Sequence, residues 1–237
     1  TTLFSPFVLR TVFGNQYIEN IMFVGHVQTC AQIGALSIMV SYVIYRIGYH
    51  SKSFWLSFFS IATMLFSGAE ASYLVILIFS VSYILYKRKK TVFISMFSPN
   101  AIFLVGTLAQ ALVLPIVVCN KLDFGARYYV YIDALKKMKG HYLFGYGVYG
   151  ILLYTFWMEW TGDIGMNYAH NQVLQILMDG GIILLICYCL MCFLILKSCK
   201  KQDRYIRFWL NSSLLAFLVD GMCDPVTEYN YFYIFLM

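Results

Sequence analysis

The sequence predicts an all-α, polytopic helical membrane protein, and three observations carry that prediction. Of 237 residues, 61% are hydrophobic and 12% are charged, whereas a soluble domain carries about 25% charged residues. Mean hydropathy is +0.71. The apolar runs are solid and of helical length, as from Ile176 to Leu196, where Asp179 is the one charged residue; the ten-residue alternation of a membrane barrel strand is missing. Half the usual charge cannot solvate a compact surface, which excludes a soluble globular domain, a disordered segment and a disulfide-stapled secreted module. Only 4 prolines and 16 glycines exclude collagen-like or linker composition.

Apolar runs and their punctuation place spans near 28–47, 54–67, 71–86, 98–118, 170–196 and 206–223, with a further one starting at 229, about six to seven in all. Pro99 after Ser98 suits the first turn and cap of the fourth span. Residues 54–86 allow two short helices or one tilted helix of about 48 Å. The single helix overshoots even a strongly tilted crossing, and Ser67-Gly68-Ala69-Glu70 supplies turn chemistry, so two helices are preferred. The chain begins without methionine and stops inside the short apolar run Tyr229–Met237. It is read as one integral membrane domain, 1–237, lacking helices on one or both sides.

Lys and Arg set the orientation. Lys87–Lys90, then Lys197, Lys200, Lys201, Arg204 and Arg207, fall with Arg46 and Lys52 on one face, 11 of the 17 basic residues. That face is read as cytoplasmic. The long connection 119–169, Arg10 and the Ser67–Glu70 turn then lie outside. The net charge of +6 reflects this orientation, and a nucleic-acid partner would need a different distribution. The seven cysteines lie mostly in apolar runs; Cys189-x-x-Cys192 sits within one, with no second pair or histidine near it, and reads as apolar filler.

Residues Tyr128 to Met138 of the outer loop place Tyr128, Tyr131, Leu135 and Met138 on one helical stripe. This predicts an amphipathic helix on the outer membrane surface. Its terminal lysines Lys136, Lys137 and Lys139 suit the dipole, whereas Arg127 at the start opposes it and invites an anion. Arg127 is equally readable as a solvated end residue. Gly145-Tyr146-Gly147-Val148-Tyr149-Gly150 matches G-x-G-x-x-G but lacks the strand, crossover and acidic residue of a dinucleotide site; it reads as a flexible turn.

Asn167-Tyr168-Ala169-His170-Asn171 opens the fifth span. A histidine there meets the positive end of a helix dipole, which favours the neutral ring that a general base needs; an interfacial histidine bonded to water is the competing reading. Asp179, beside Gly180-Gly181, is a charge inside a span and is read as paired with another span. Arg10, Arg127 and His170 converge on the outer face, an arrangement suited to an anionic, lipid-linked substrate.

These residues resemble the O-antigen polymerase and ligase superfamily. The most specific match is His170-Asn171-Gln172-Val173-Leu174-Gln175 followed by Asp179-Gly180-Gly181-Ile182. The stretch from Gly125-Ala126-Arg127 through Ala134-Leu135 to Gly145-Tyr146-Gly147 is similar to the family's outer-loop segment, and Arg10-Thr11-Val12-Phe13-Gly14-Asn15 resembles an earlier arginine segment more loosely. Where many members carry serine-arginine, this chain reads Ser67-Gly68-Ala69-Glu70, so that arginine's role does not carry over.

The resemblance implies glycan transfer from undecaprenyl diphosphate to a glycan acceptor at the outer face of the bacterial cytoplasmic membrane. Arg127 and Arg10 would hold the diphosphate, His170 would act as base, and Asn171, Asp179 and Tyr128 would support them. No cofactor or metal is implied, and the sequence contains no D-x-D pair to hold one. A Wzy-type polymerase joining repeat units is the first reading. An O-antigen ligase passing a finished glycan to a lipid, protein or wall acceptor is the second. A transporter or flippase for the same lipid is a rival of another class.

Overall fold

In the computed structural model, Ser53, Ser60 and Ser67 of helix α2 (His50–Ser67) face inward and its aromatic residues face outward. The buried residues of α2 are Ser53, Ser60, Met64 and Ser67, whereas Phe54, Trp55, Phe58, Phe59, Leu65 and Phe66 are exposed, the last by 71%. In water such a helix would be inside out. In hydrocarbon it is the stable arrangement, because lipid tails are as apolar as leucine and helices associate through small residues and hydroxyl hydrogen bonds.

The structure describes residues 7–12, 15–20, 27–67, 70–88, 99–121, 127–147 and 169–222. Among them are strands β1 (Phe7–Val12) and β2 (Asn15–Asn20) and helices α1 (Val27–Arg46), α2, α3 (Glu70–Arg88), α4 (Pro99–Cys119), α5 (Arg127–Lys137), α6 (Gln172–Cys199) and α7 (Arg204–Asp220). The helices match the expected spans to within a few residues, and Pro99 opens α4 as its fixed φ favours. Residues 54–86 form two helices. The run from 229 and Ser98 lie outside the described residues. The hairpin was not expected: β1 pairs antiparallel with β2, Arg10 opposite Tyr17, where β-branched and aromatic residues flank Gly14. It adds a short sheet to a fold that is otherwise helical as predicted.

Two described helices are long and apolar enough to cross a membrane, Ala101–Cys119 within α4 and α6, and Cys30–Arg46 of α1 is a shorter apolar one. Contacts divide the chain into two units, residues 1–95 with 203–216 and residues 96–202 with 217–237.

In the first unit, α1 and α2 meet through small residues. A Cβ on Gly34 would lie 2.8 Å from Met64 Cγ and 3.2 Å from the Ser60 carbonyl. The Ser41 and Ser57 hydroxyls share a 2.6 Å hydrogen bond, and Ser53 Oγ donates to the Ser41 carbonyl at 2.7 Å. Trp209 Nε1 of α7 donates to the Met39 carbonyl at 2.7 Å. Tyr86 of α3 stacks on Phe208 at 4.3 Å, and the Arg46 guanidinium sits 4.5 Å over the Tyr205 ring. Arg46, the α3 terminus Lys87-Arg88 and the start of α7 therefore share one end of this unit, as the charge pattern requires of a single membrane face.

The second unit contains α4, α5, α6 and the last turn of α7. Gly106 of α4 lets Leu218 approach so closely that a Cβ would lie 2.6 Å from Leu218 Cδ1. One turn on, Gln110 Nε2 donates to the Leu218 carbonyl at 2.6 Å.

Candidate functional site

Helix α5 buries Val130, Tyr131 and Ala134, with Met138 just past its end, in a core with Val117 of α4, Ala169, and Leu174 and Met178 of α6. The expected stripe is corrected here. Tyr131 and Met138 are buried, Tyr128 is only half-buried and Leu135 is exposed. The buried face meets protein, because Val130 and Ala134 are small enough for close approach to α4 and α6. An Asp133–Lys137 ion pair of 3.0 Å spans one turn of the outer side. Arg127 is the first residue of α5 and half-buried, and no described side chain forms an ion pair with it. It lies four residues before Tyr131, on the same face and about 6 Å along the axis.

Tyr131 reaches the next component of the site. Its hydroxyl donates to the His170 carbonyl at 3.0 Å. His170 has φ +50°, the left-handed region that costs a non-glycine residue about 1–2 kcal/mol. Fixed contacts on both sides hold it there. The Ala169 N–H donates to Gln175 Oε1 at 2.8 Å. Asn171 caps α6, its Oδ1 accepting from the Leu174 N–H at 3.0 Å, while its Nδ2 donates to the carbonyls of Gln110 at 3.2 Å and Met222 at 3.4 Å. The Gln172 N–H donates to the Gly221 carbonyl at 2.8 Å. Strain of this kind persists where the surroundings over-determine it and concentrates at functional sites.

Helix α6 is broken at Gly181, which has φ 64° and ψ −161°. In a continuous helix the N–H groups of Ile182 and Ile183 would donate to Met178 and Asp179. Here residues 142–147 enter the gap. Tyr146 N–H donates to the Met178 carbonyl at 2.7 Å and Gly147 N–H to the Asp179 carbonyl at 2.8 Å; Ile182 and Ile183 donate to the carbonyls of Tyr142 and Leu143 at 2.8 and 3.4 Å. Four bonds replace two, so the break leaves these groups satisfied. A Cβ on Gly145 would lie 2.5 Å from the Met178 carbonyl oxygen, and one on Gly181 would overlap the Leu143 backbone. The flexible-turn reading of Gly145 and Gly147 is thereby corrected, since both are in a backbone interlock. His141, assigned nothing from sequence, stacks on Tyr146 at 4.2 Å, and the Tyr146 hydroxyl donates to the Lys137 carbonyl. Gly150 lies outside the described residues.

Asp179 sits just before this break. Both its oxygens accept from Gln175 Nε2 at 3.1 Å, so its partner is one turn back on the same helix and not on another span. Gln175 thus joins Asp179 to Ala169, the residue before His170.

Arg127, Tyr128, His170, Asn171 and Asp179 all belong to the second unit, and Arg10 belongs to the first. Sequence reasoning passed over Gln110, a lone amide in the apolar run of α4, and gave Gln175 no role of its own. It placed Tyr131 on the lipid side. The i, i+4 spacing from Arg127 to Tyr131 was the available signal. Among the described residues no three His, Cys, Asp or Glu side chains converge to hold a metal ion. Chemically, the arrangement pairs a histidine of fixed backbone with a cation one helical turn from the tyrosine that anchors it.

No curated protein and no solved structure matches the chain. The model of the O-antigen ligase family matches residues 21–189, a stretch that takes in Arg127, His170, Asn171 and Asp179 but not Arg10. That match covers more than half of the chain and runs from ahead of α1 past the break in α6, and the protein accordingly belongs to the O-antigen ligase family of the O-antigen polymerase and ligase superfamily, membrane proteins of glycan transfer.

Proposed function

We propose that the protein is a polysaccharide polymerase that joins undecaprenyl-diphosphate-linked repeat units at the outer face of the bacterial cytoplasmic membrane. The hydroxyl of the acceptor sugar gives its proton to His170 and attacks the anomeric carbon of the donor. The bond from that carbon to the diphosphate breaks, and undecaprenyl diphosphate leaves. Arg127 holds the leaving diphosphate, where a guanidinium fork accommodates phosphate oxygens bidentately. Asn171, Asp179 and Tyr128 support the site. The observation that carries this reading is the strained, multiply anchored His170, tied by Tyr131 to the helix that begins with Arg127.

A second reading is a ligase, the activity in the family's description, in which a finished glycan passes to a lipid, protein or wall acceptor. Purified protein given lipid-linked repeat units alone decides between them. A ladder of lengthened lipid-linked product supports the polymerase, and product only on addition of a separate acceptor supports the ligase. Movement of intact donor across a vesicle membrane without transfer would instead make it a transporter. The break in α6 resembles the broken helices of transporters, yet the loop takes up the backbone groups it frees at Met178 and Asp179, which argues against an ion site there.

In the same assay, Arg127→Ala and Arg127→Lys are expected to weaken donor binding by about 10–100-fold, since lysine keeps the charge but loses the planar fork. Near-native donor binding by the lysine variant would reduce Arg127 to a diffuse electrostatic role.

The orientation requires residues 67–70 and the 119–169 connection outside, Lys87–Lys90 and Lys197–Arg207 inside, with six to seven spans. A cysteine placed at position 68 of a cysteine-depleted chain is expected to react with impermeant reagent added outside intact cells. Labelling only after the cytoplasmic side is opened would invert the assignment.

A further inference from the structure

We infer that Tyr131 is a positioning residue that fixes His170 relative to Arg127. The inference rests on the glycan-transfer reading above. Tyr131 is fully buried, and sequence periodicity alone would make it one more apolar contact of an amphipathic helix. Its hydroxyl, however, ends on the backbone carbonyl of the left-handed residue His170. Further restraints on residues 169–172 come from α4, α6 and the segment after α7, among them Gln175 on Ala169, Gln110 and Met222 on Asn171, and Gly221 on Gln172. Tyr131 supplies a restraint from α5, the helix that carries Arg127.

The consequence follows from helix pitch. Arg127 and Tyr131 are separated by one turn of the same helix, so their relative position is set by the α-helical backbone. A hydrogen bond from Tyr131 to His170 transmits that position to the residue read as the base. A general base must sit within hydrogen-bond reach of the attacking hydroxyl while the leaving group is held elsewhere, and a displacement of about 1 Å costs on the order of 100-fold. The Tyr131 hydroxyl therefore acts on turnover through His170 without touching the donor.

Tyr131→Phe removes the hydroxyl and leaves the buried ring. Turnover at saturating donor is expected to fall roughly 10–100-fold, with the donor KM within about twofold of native and thermal stability in detergent little changed. Replacement by 4-aminophenylalanine, which puts a donor at the same reach, is expected to restore most of the lost turnover. A purely structural tyrosine would lower the yield of folded protein and leave turnover per folded molecule intact. If the phenylalanine variant fails to accumulate, 4-fluorophenylalanine fills the hydroxyl's space without donating and replaces it in the comparison. Native turnover in the non-donating variant, with His170→Ala inactive, overturns the role of Tyr131. Native turnover in both Tyr131→Phe and His170→Ala overturns the underlying reading of His170 instead.

Discussion

Gly181→Ala is expected to destroy the interlock between α6 and residues 142–147. Gly181 has φ 64° and ψ −161°, a region essentially closed to residues with a Cβ, and occupying it costs on the order of 1–3 kcal/mol. Its Cβ would also overlap the Leu143 backbone, which cannot move without losing the hydrogen bonds to Ile182 and Ile183. The cheaper response is for the substituted residue to turn helical. Ile182 and Ile183 then donate back to Met178 and Asp179, α6 straightens, and the loop is expelled. A Cβ on the neighbouring Gly180 would lie 2.5 Å from Leu184 Cβ, an atom whose position the backbone fixes, so the helix next to the break has no room for a side chain there either.

Hydrogen exchange at the Tyr146 and Gly147 amides is the test. Both are expected to lose protection in Gly181→Ala. Activity is expected to follow protection, since the loop carries Tyr146, whose hydroxyl anchors the end of α5 at Lys137. Native protection in Gly181→Ala would show that the break does not need glycine at this position.

The helices were legible in the sequence because their ends carry local chemistry: Pro99 at the start of α4, Arg46 and Lys87-Arg88 at the ends of α1 and α3. The break at Gly181 was not. The apolar run continues across it, and its cause is the distant loop 142–147, whose backbone groups trade places with those of the helix. The faces of α2 and α5 were hidden for another reason. Lipid and protein interior are equally apolar, so a stripe such as Tyr131, Leu135 and Met138 does not say which neighbour it meets. Size separates them here, with Val130 and Ala134 of α5 and Ser53 and Ser60 of α2 turned to protein.

His170 and Asn171 were legible as candidates because polar residues at the head of an apolar run stand out. Asn171 did cap the helix, as its residue type favours. The left-handed backbone of His170 left no mark in the sequence, since it arises from Tyr131, Gln175 and the Asn171 anchors acting together. The hairpin carrying Arg10 went unread because β-branched residues beside a glycine are too common a pattern in a membrane chain.

His170→Gly is expected to fold as well as the native protein and to transfer almost no glycan. Glycine occupies φ +50° without the steric cost that histidine bears, so relief of strain offsets the added freedom of the unfolded chain, and stability should change by no more than about 1 kcal/mol. The chemistry responds in the opposite way. A sugar hydroxyl is a poor nucleophile, and a general base typically contributes 10²–10⁴-fold, roughly 3–5 kcal/mol of barrier. His170→Asn is the companion variant. Asparagine tolerates the left-handed region and keeps a polar side chain there, but its amide cannot accept the proton, so turnover should stay as low as in the glycine variant. Donor binding, governed by Arg127, is expected to survive in both. A histidine held only to cap or pack the start of α6 predicts the reverse, lower stability with turnover per folded molecule intact. Turnover within about tenfold of native in folded His170→Asn would remove His170 as the base and leave its strained backbone as a purely structural feature.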